Sequence, residues 1–199
     1  MKLIVATHNE HKVEEIRNFF KKDNIEVLSM GDIGIYNEVE ETGSTIEENA
    51  LIKARSLKNY KDDIIIADDT GLFVDYLDGK PGVYTARFAG ENATYDDNNK
   101  KLLKMLEGVP ANKRRATFKT VIALIYKEKE VIIEGKVEGR ILENPRGENG
   151  FGYDPVFYVD KLGKTLAELS VEEKNEVSHR AMALIKLRNY LEKNLEDFK

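Results

Sequence analysis

Ile64-Ile65-Ile66-Ala67-Asp68-Asp69-Thr70-Gly71 is the stretch on which the reading of the fold turns. Its short apolar run, bounded by polar residues, reads as a buried strand over 64–67. Two adjacent carboxylates follow at once. Carboxylates at the carboxyl end of a central strand lie where open α/β sheets place ligands. Hard oxygen donors suit Mg²⁺, which takes one or two protein carboxylates and keeps its other positions for water and phosphate. One Asp could instead act as general base toward a water held by that metal. The plainer alternative is a polar exit from the strand, with Gly71 shaping the turn. That alternative needs a reason for two aspartates that repel each other.

Working outward, Leu3-Ile4-Val5-Ala6 reads as a second buried strand. Val13, Ile16, Phe19 and Phe20 recur at helical spacing and predict a helix over 12–20. A strand follows near 25–28. Ser44-Thr45-Ile46-Glu47-Glu48 holds two overlapping capping-box spacings and opens a helix to about Leu57. Beyond Gly71, residues 72–77 are a further strand candidate before the turn at 78–82. Thr94 caps a helix over 95–107, stopped by Gly108 with Pro110 beyond. Residues 116–126 and 130–141 are β-rich and separated by Lys127-Glu128-Lys129, which predicts an antiparallel hairpin. Ser170 and Glu173 form a capping box for a C-terminal helix lined by Leu184, Leu187 and Leu191. This order predicts an α/β fold with a mixed sheet. Residues 1–199 read as a single domain without a linker, in which the hairpin region could form a second lobe.

The chain has 199 residues, 41% hydrophobic and 34% charged, with a net charge of −5. That length can bury a full core. A protein gripping DNA or RNA by its phosphates would carry a basic excess, so no nucleic-acid partner is expected. A small anionic ligand needs only a few local cations. Cysteine is absent, which excludes disulfides and thiolate metal sites and fits a reducing cytoplasm. The apolar run after Met1-Lys2 is too short for a signal segment or a membrane span. The expectation is a soluble, cytoplasmic protein with no membrane partner.

Four further constellations carry chemistry. Thr7-His8-Asn9-Glu10-His11-Lys12 joins a strand to a helix, where free backbone N–H groups and the positive dipole end suit a phosphate. The same residues also fit an ordinary turn with Asn as cap. Glu38-Val39-Glu40-Glu41 is a solvated acidic loop unless it folds back to supply Asp69 with a further carboxylate. Gly147-Glu148-Asn149-Gly150-Phe151-Gly152-Tyr153-Asp154-Pro155 combines glycines, which permit close backbone approach, with aromatic faces on which a base can stack. In that loop Asp154 could accept from a ring N–H or orient a cation. A plain turn with its aromatics in the core is the alternative. Lys174, Ser178, His179 and Arg180 sit at or near a helix start, off the leucine stripe.

In this order the motifs resemble the inosine triphosphate pyrophosphatase (Ham1/RdgB-like) family over nearly the whole chain. The resemblance runs through Thr7-x-Asn9-x-x-Lys12, Glu40-Glu41-Thr42-Gly43, Glu48-Asn49-Ala50-x-x-Lys53-Ala54 and Ala67-Asp68-Asp69-Thr70-Gly71-Leu72. It continues through Pro81-Gly82-Val83-Tyr84-Thr85-Ala86-Arg87, Gly150-Phe151-Gly152-Tyr153-Asp154-Pro155, Lys174 and Ser178-His179-Arg180. It implies an elongated mixed sheet flanked by helices in two lobes with a cleft between them, and a homodimer. The implied reaction is Mg²⁺-dependent hydrolysis of purine nucleoside triphosphates (dITP, ITP, XTP) to monophosphate and pyrophosphate. Carried over by position, Thr7, His8, Asn9, Glu10, His11 and Lys12 would bind phosphate. Asp69 would be general base and metal ligand, with Glu40 or Glu41 as a further metal ligand. Thr70, Phe151, Gly152, Tyr153, Asp154, Lys174, His179 and Arg180 would hold the nucleotide, and a cation such as Arg180 would read O6 of the base. Three positions depart from the family pattern: Thr70 stands for a common Ser, Asn149 for a Gly, and His11 for a Gly. Two rivals are a Maf-like nucleotide pyrophosphatase, opposed by the motifs at 151–154 and 178–180, and a nucleotide-binding regulator without hydrolysis.

Overall fold

In the computed structural model, which describes residues 1–60 and 62–194, the chain runs β1 (Lys2–Val5), α1 (Glu10–Phe20), β2 (Glu26–Ser29), α2 (Ile46–Arg55), β3 (Ile64–Val74), β4 (Pro81–Gly82), α3 (Tyr95–Met105), β5 (Arg115–Tyr126), β6 (Lys129–Ile141), β7 (Phe157–Val159), β8 (Lys164–Thr165), α4 (Val171–Val177) and α5 (His179–Lys193). The strands form a mixed sheet in the order β2-β1-β3-β5-β6-β7-β8, with β4 paired to β3. The α/β class and mixed sheet expected from the sequence are what the chain adopts. Among the described residues, no helix is long and apolar enough to cross a membrane.

Two compact units divide the described chain, the first from residues 1–69, 120–135 and 180–194 and the second from 70–119 and 136–179. In the first, β1 lies parallel to both β2 and β3, with Leu3 opposite Val27 and Ile64. Its core gathers Leu3, Val5, Ile64 and Ile66 with Ile16 and Phe20 of α1 and Leu184, Leu187 and Leu191 of α5. The helical stripes read from the sequence therefore bury where expected. In the second unit, Leu72 and Phe73 pair antiparallel with Gly82 and Pro81, and β6, β7 and β8 are successive antiparallel neighbours. Its core gathers Leu72, Leu102, Phe118, Tyr153 and Phe157.

Three expectations need correction. Residues 64–67 and 72–77 are not two strands around a polar turn. Residues 64–74 form one 11-residue strand, β3, which carries Asp68 and Asp69 in its middle, and residues 75–77 turn into a short 3-10 helix. Thr70, Phe73 and Val74 favour extended backbone, and the two acids are tolerated inside the strand because cations meet them, as shown below. The C-terminal helix is two helices: Ser178 takes an extended backbone (φ −73°, ψ 160°), ending α4 so that α5 starts at His179. Glu48, finally, caps back to Ser44 N at 2.6 Å, while Thr45 is the residue that accepts from Glu48 N. The remaining signals act as read. Thr94 with Asp97 and Ser170 with Glu173 form reciprocal capping boxes, and β5 and β6 are sheet neighbours joined through residues 127–128.

Candidate active site

Successive residues of a strand project to opposite faces of the sheet, so Asp68 and Asp69 meet different surroundings. Asp68 shares its parity with Ile64 and Ile66, whose neighbours are α1 and α5. It is fully buried, and its Oδ2 accepts from Arg180 Nε at 3.0 Å and Nη2 at 2.8 Å. Lys12 Nζ lies 3.3 Å from the same oxygen, and Arg180 Nη1 donates to Glu15 Oε2. Burial opposes ionisation of Asp68, but the charges of Lys12, Arg180 and Lys53 outweigh it and hold the carboxyl well below the usual range. The same burial lowers the Lys12 ammonium despite the attraction of Asp68.

Asp69 faces α2. Lys53 Nζ lies 2.9 Å from Asp69 Oδ1 and 2.9 Å from Glu41 Oε1. Burial raises the Asp69 carboxyl, with Lys53 and Lys12 pulling down and Glu41 pushing up. The Lys53 ammonium is itself raised, because Asp69, Glu41 and Asp68 overcome its burial. Two adjacent aspartates are thus driven apart in proton affinity. Pairs of that kind mark where acid and base roles separate.

The acidic loop contributes Glu41, while Glu40 is exposed. Asn49 of α2 fastens the loop by accepting from Gly43 N at 2.8 Å. A Cβ at Gly43 would stand 2.6 Å from Asn49 Oδ1, so the contact needs glycine. The turn before α1 is ordered by Thr7 Oγ1, which accepts from Asn9 N at 3.2 Å, and by Asn9 Oδ1, which caps the helix on Lys12 N at 3.3 Å. His8 Nε2 is 3.0 Å from Asn37 O, and Glu10 and His11 are exposed. A cavity of about 140 Å³ is lined by Thr7, His8, Glu38, Glu41 and Lys53 among others.

In the second unit the glycine loop is built around Asp154. The buried Asp154 Oδ2 accepts from Phe151 N at 2.9 Å and from Lys174 Nζ at 2.7 Å. The Lys174 ammonium also lies 5.0 Å from the Phe151 ring centroid, and Tyr95 of α3 sets its ring 5.8 Å from that of Phe151. Asn99, also on α3, donates to Gly152 O at 2.9 Å. Asn149 donates to Leu169 O at 2.9 Å, so the side chain at the departing position ties the loop down. Tyr153 points into the core and donates its hydroxyl to Thr85 O at 2.9 Å. His179 is buried with its ring stacked on Phe118, centroids 4.0 Å apart. Thr70 is a partly buried residue of β3.

Gly150 holds this loop at φ +75°, and a Cβ there would stand 2.2 Å from Asp154 Oδ2. Gly150→Ala is therefore expected to cost about 1–3 kcal/mol by displacing Asp154 from Lys174. Thermal unfolding checks it, and an unchanged melting temperature would contradict it.

The sequence reading assigned no role to Glu15, Lys53, Tyr95 or Asn99. It assigned base reading to Arg180, whose three nitrogens lie on the carboxylates of Asp68 and Glu15. That pairing holds the Asp68 carboxylate in place.

A sequence model of the Ham1 family matches residues 3–190. A protein of Thermoanaerobacter sp. (strain X514) named dITP/XTP pyrophosphatase is 70% identical over 197 residues, spanning 99% of this chain and 100% of that protein. Among solved structures, the Staphylococcus aureus Ham1 protein is 40% identical with a TM-score of 0.85, covering 97% of this chain and 99% of that one. A HAM1 protein from Coxiella burnetii is 39% identical with a TM-score of 0.86, with the same coverage.

Proposed function

This chain belongs to the Ham1 family, and from that premise we propose that it hydrolyses the deaminated purine nucleoside triphosphates dITP, ITP and XTP to monophosphate and pyrophosphate. The observation that carries this reading is the split between the neighbouring carboxylates of β3. Asp68 is held ionised by Lys12 and Arg180, whereas Asp69 is raised by burial and kept beside Lys53 and Glu41. Burial shifts the Asp69 carboxyl in the direction of a stronger base, so Asp69 is the residue assigned to take the proton from the attacking water. The water oxygen bonds to phosphorus, the anhydride P–O bond breaks, and pyrophosphate departs with that electron pair.

Mg²⁺ is the cofactor this reading implies, and the residues present fit it. Asp69 Oδ1 and Glu41 Oε1 already converge on one cation, each 2.9 Å from the Lys53 ammonium. One or two hard carboxylates are the usual protein share for Mg²⁺. Asp69 and Glu41, rather than the exposed Glu40, would hold the ion. When bound, it would neutralise phosphate charge and lower the pKa of coordinated water.

Residues 7–12 are assigned to the phosphates. Lys12→Ala should then weaken dITP, XTP and dATP by similar factors, since a charge on the phosphates cannot read the base. A changed preference among them in competitive binding would contradict this assignment. Phe151 supplies a stacking face, and Asp154 keeps the Lys174 ammonium against it. Together with Gly152, Thr70 and His179 these residues are assigned to the nucleoside. A cationic donor beside the stacked base complements O6 of hypoxanthine or xanthine and opposes the amino group of adenine, donor to donor. A homodimer is proposed from the family resemblance; light scattering that returned the mass of one chain would contradict it.

The test is pyrophosphate release from dITP with and without Mg²⁺. A nucleotide-binding regulator would release none under either condition.

A further inference from the structure

We propose that the cavity walled by Arg114, Arg140 and Arg146 in the second unit binds an oligophosphate anion, at a place that shares no residue with the substrate site assigned above. The cavity holds about 340 Å³, and its lining includes these three arginines against a single acid, Glu143. A local positive excess of this kind stands out on a chain whose net charge is −5.

Arg114 is 2% exposed, and its guanidinium is held by carbonyls alone. Nε donates to Ile141 O at 2.7 Å, Nη1 to Leu106 O at 2.6 Å and Nη2 to Leu142 O at 2.8 Å. A guanidinium has five N–H donors, and neutral acceptors leave its charge uncompensated. Its pKa is accordingly lowered by burial, with Glu143 offsetting only part. The other two cations converge on one ring, with the Arg140 and Arg146 guanidinium carbons 4.9 and 5.9 Å from the Tyr158 centroid. Arg140 also reaches Asp160 Oδ1 at 3.1 Å across a half-exposed pair. Arg146 is fixed through its backbone, its N donating to Pro155 O and its O accepting from Thr165 Oγ1, each at 2.8 Å. Like charges gathered on rigid supports favour an anion between them, and the planar fork of arginine matches phosphate oxygens two at a time. The volume suits an anion larger than a single phosphate.

The experiment is calorimetric titration of the full chain with inorganic pyrophosphate in chelator-containing buffer, repeated with ATP and, at matched ionic strength, with sulfate. Arg140→Gln/Arg146→Gln should lose about tenfold or more in pyrophosphate affinity, as expected for losing two charge-assisted contacts, while kcat/KM for dITP stays within about twofold. Glu143→Gln, an exposed change that leaves the arginines in place, should tighten binding. The same shifts with ATP would assign the polyphosphate tail of a nucleotide; shifts with pyrophosphate alone would assign the free anion. Pyrophosphate affinity that is unchanged in both variants overturns the proposal, as does sulfate binding equal to pyrophosphate in every variant.

Discussion

Replacing Asp69 with asparagine is expected to lower kcat on dITP by about 10²–10⁴-fold, the usual size of a lost general base, with more lost if a metal contact goes too. The substitution is nearly isosteric. An asparagine Oδ1 can still accept from Lys53 Nζ, which also keeps Glu41 at 2.9 Å. Burial already disfavours the Asp69 charge, so its removal should cost the fold little, and circular dichroism and the melting temperature should stay near wild type. What disappears is the basic oxygen and half of the carboxylate pair assigned to Mg²⁺. A folded variant retaining more than half of the wild-type rate would remove Asp69 from the chemistry.

Arg180→Ala is expected to act on the fold instead. Arg180 is 2% exposed, and its removal strips Asp68 of two hydrogen bonds and Glu15 of its ion pair. Breaking a buried pair by deleting one partner typically costs about 3–5 kcal/mol, because the remaining charge is left buried. In a chain of this length that corresponds to a melting temperature lower by on the order of 10 °C. Lys12 stays near Asp68 at 3.3 Å and will soften the loss. The preference for dITP over dATP should survive in whatever fraction remains folded. A stable Arg180→Ala protein that no longer distinguished the two would return Arg180 to the base pocket that the sequence reading gave it.

That contrast marks what a sequence discloses. The parallel strands β1 and β3 and the stripes of α1 and α5 were legible because one period dominates each segment. The extent of β3 was not, because polar residues inside a strand look like its end. Only the cations arriving from α1, α2 and α5 make Asp68 and Asp69 tolerable there. Lys53 could have been found: it falls on the buried stripe of α2 with Ile46, Asn49, Ala50 and Ala54, and a lysine on an apolar face needs a carboxylate. Glu15 offered no such sign, since its partner is 165 positions away in sequence. Asn99 and Tyr95 were equally silent. Their work is to hold the loop at 151–152 from a helix whose own pattern explains only Leu102 and its neighbours. The choice between Glu40 and Glu41 was open in the sequence because both acids sit in one loop. In the fold the two differ in surroundings: Glu41 is part-buried on Lys53, and Glu40 is exposed.

Product analysis of dITP, XTP and dATP incubated with the purified protein and Mg²⁺ tests the proposed hydrolysis itself. Pyrophosphate and the matching monophosphate are expected in equal amounts, with kcat/KM for dITP and XTP exceeding that for dATP by about 10²-fold or more. Release of orthophosphate, or equal efficiency on all three nucleotides, would contradict it.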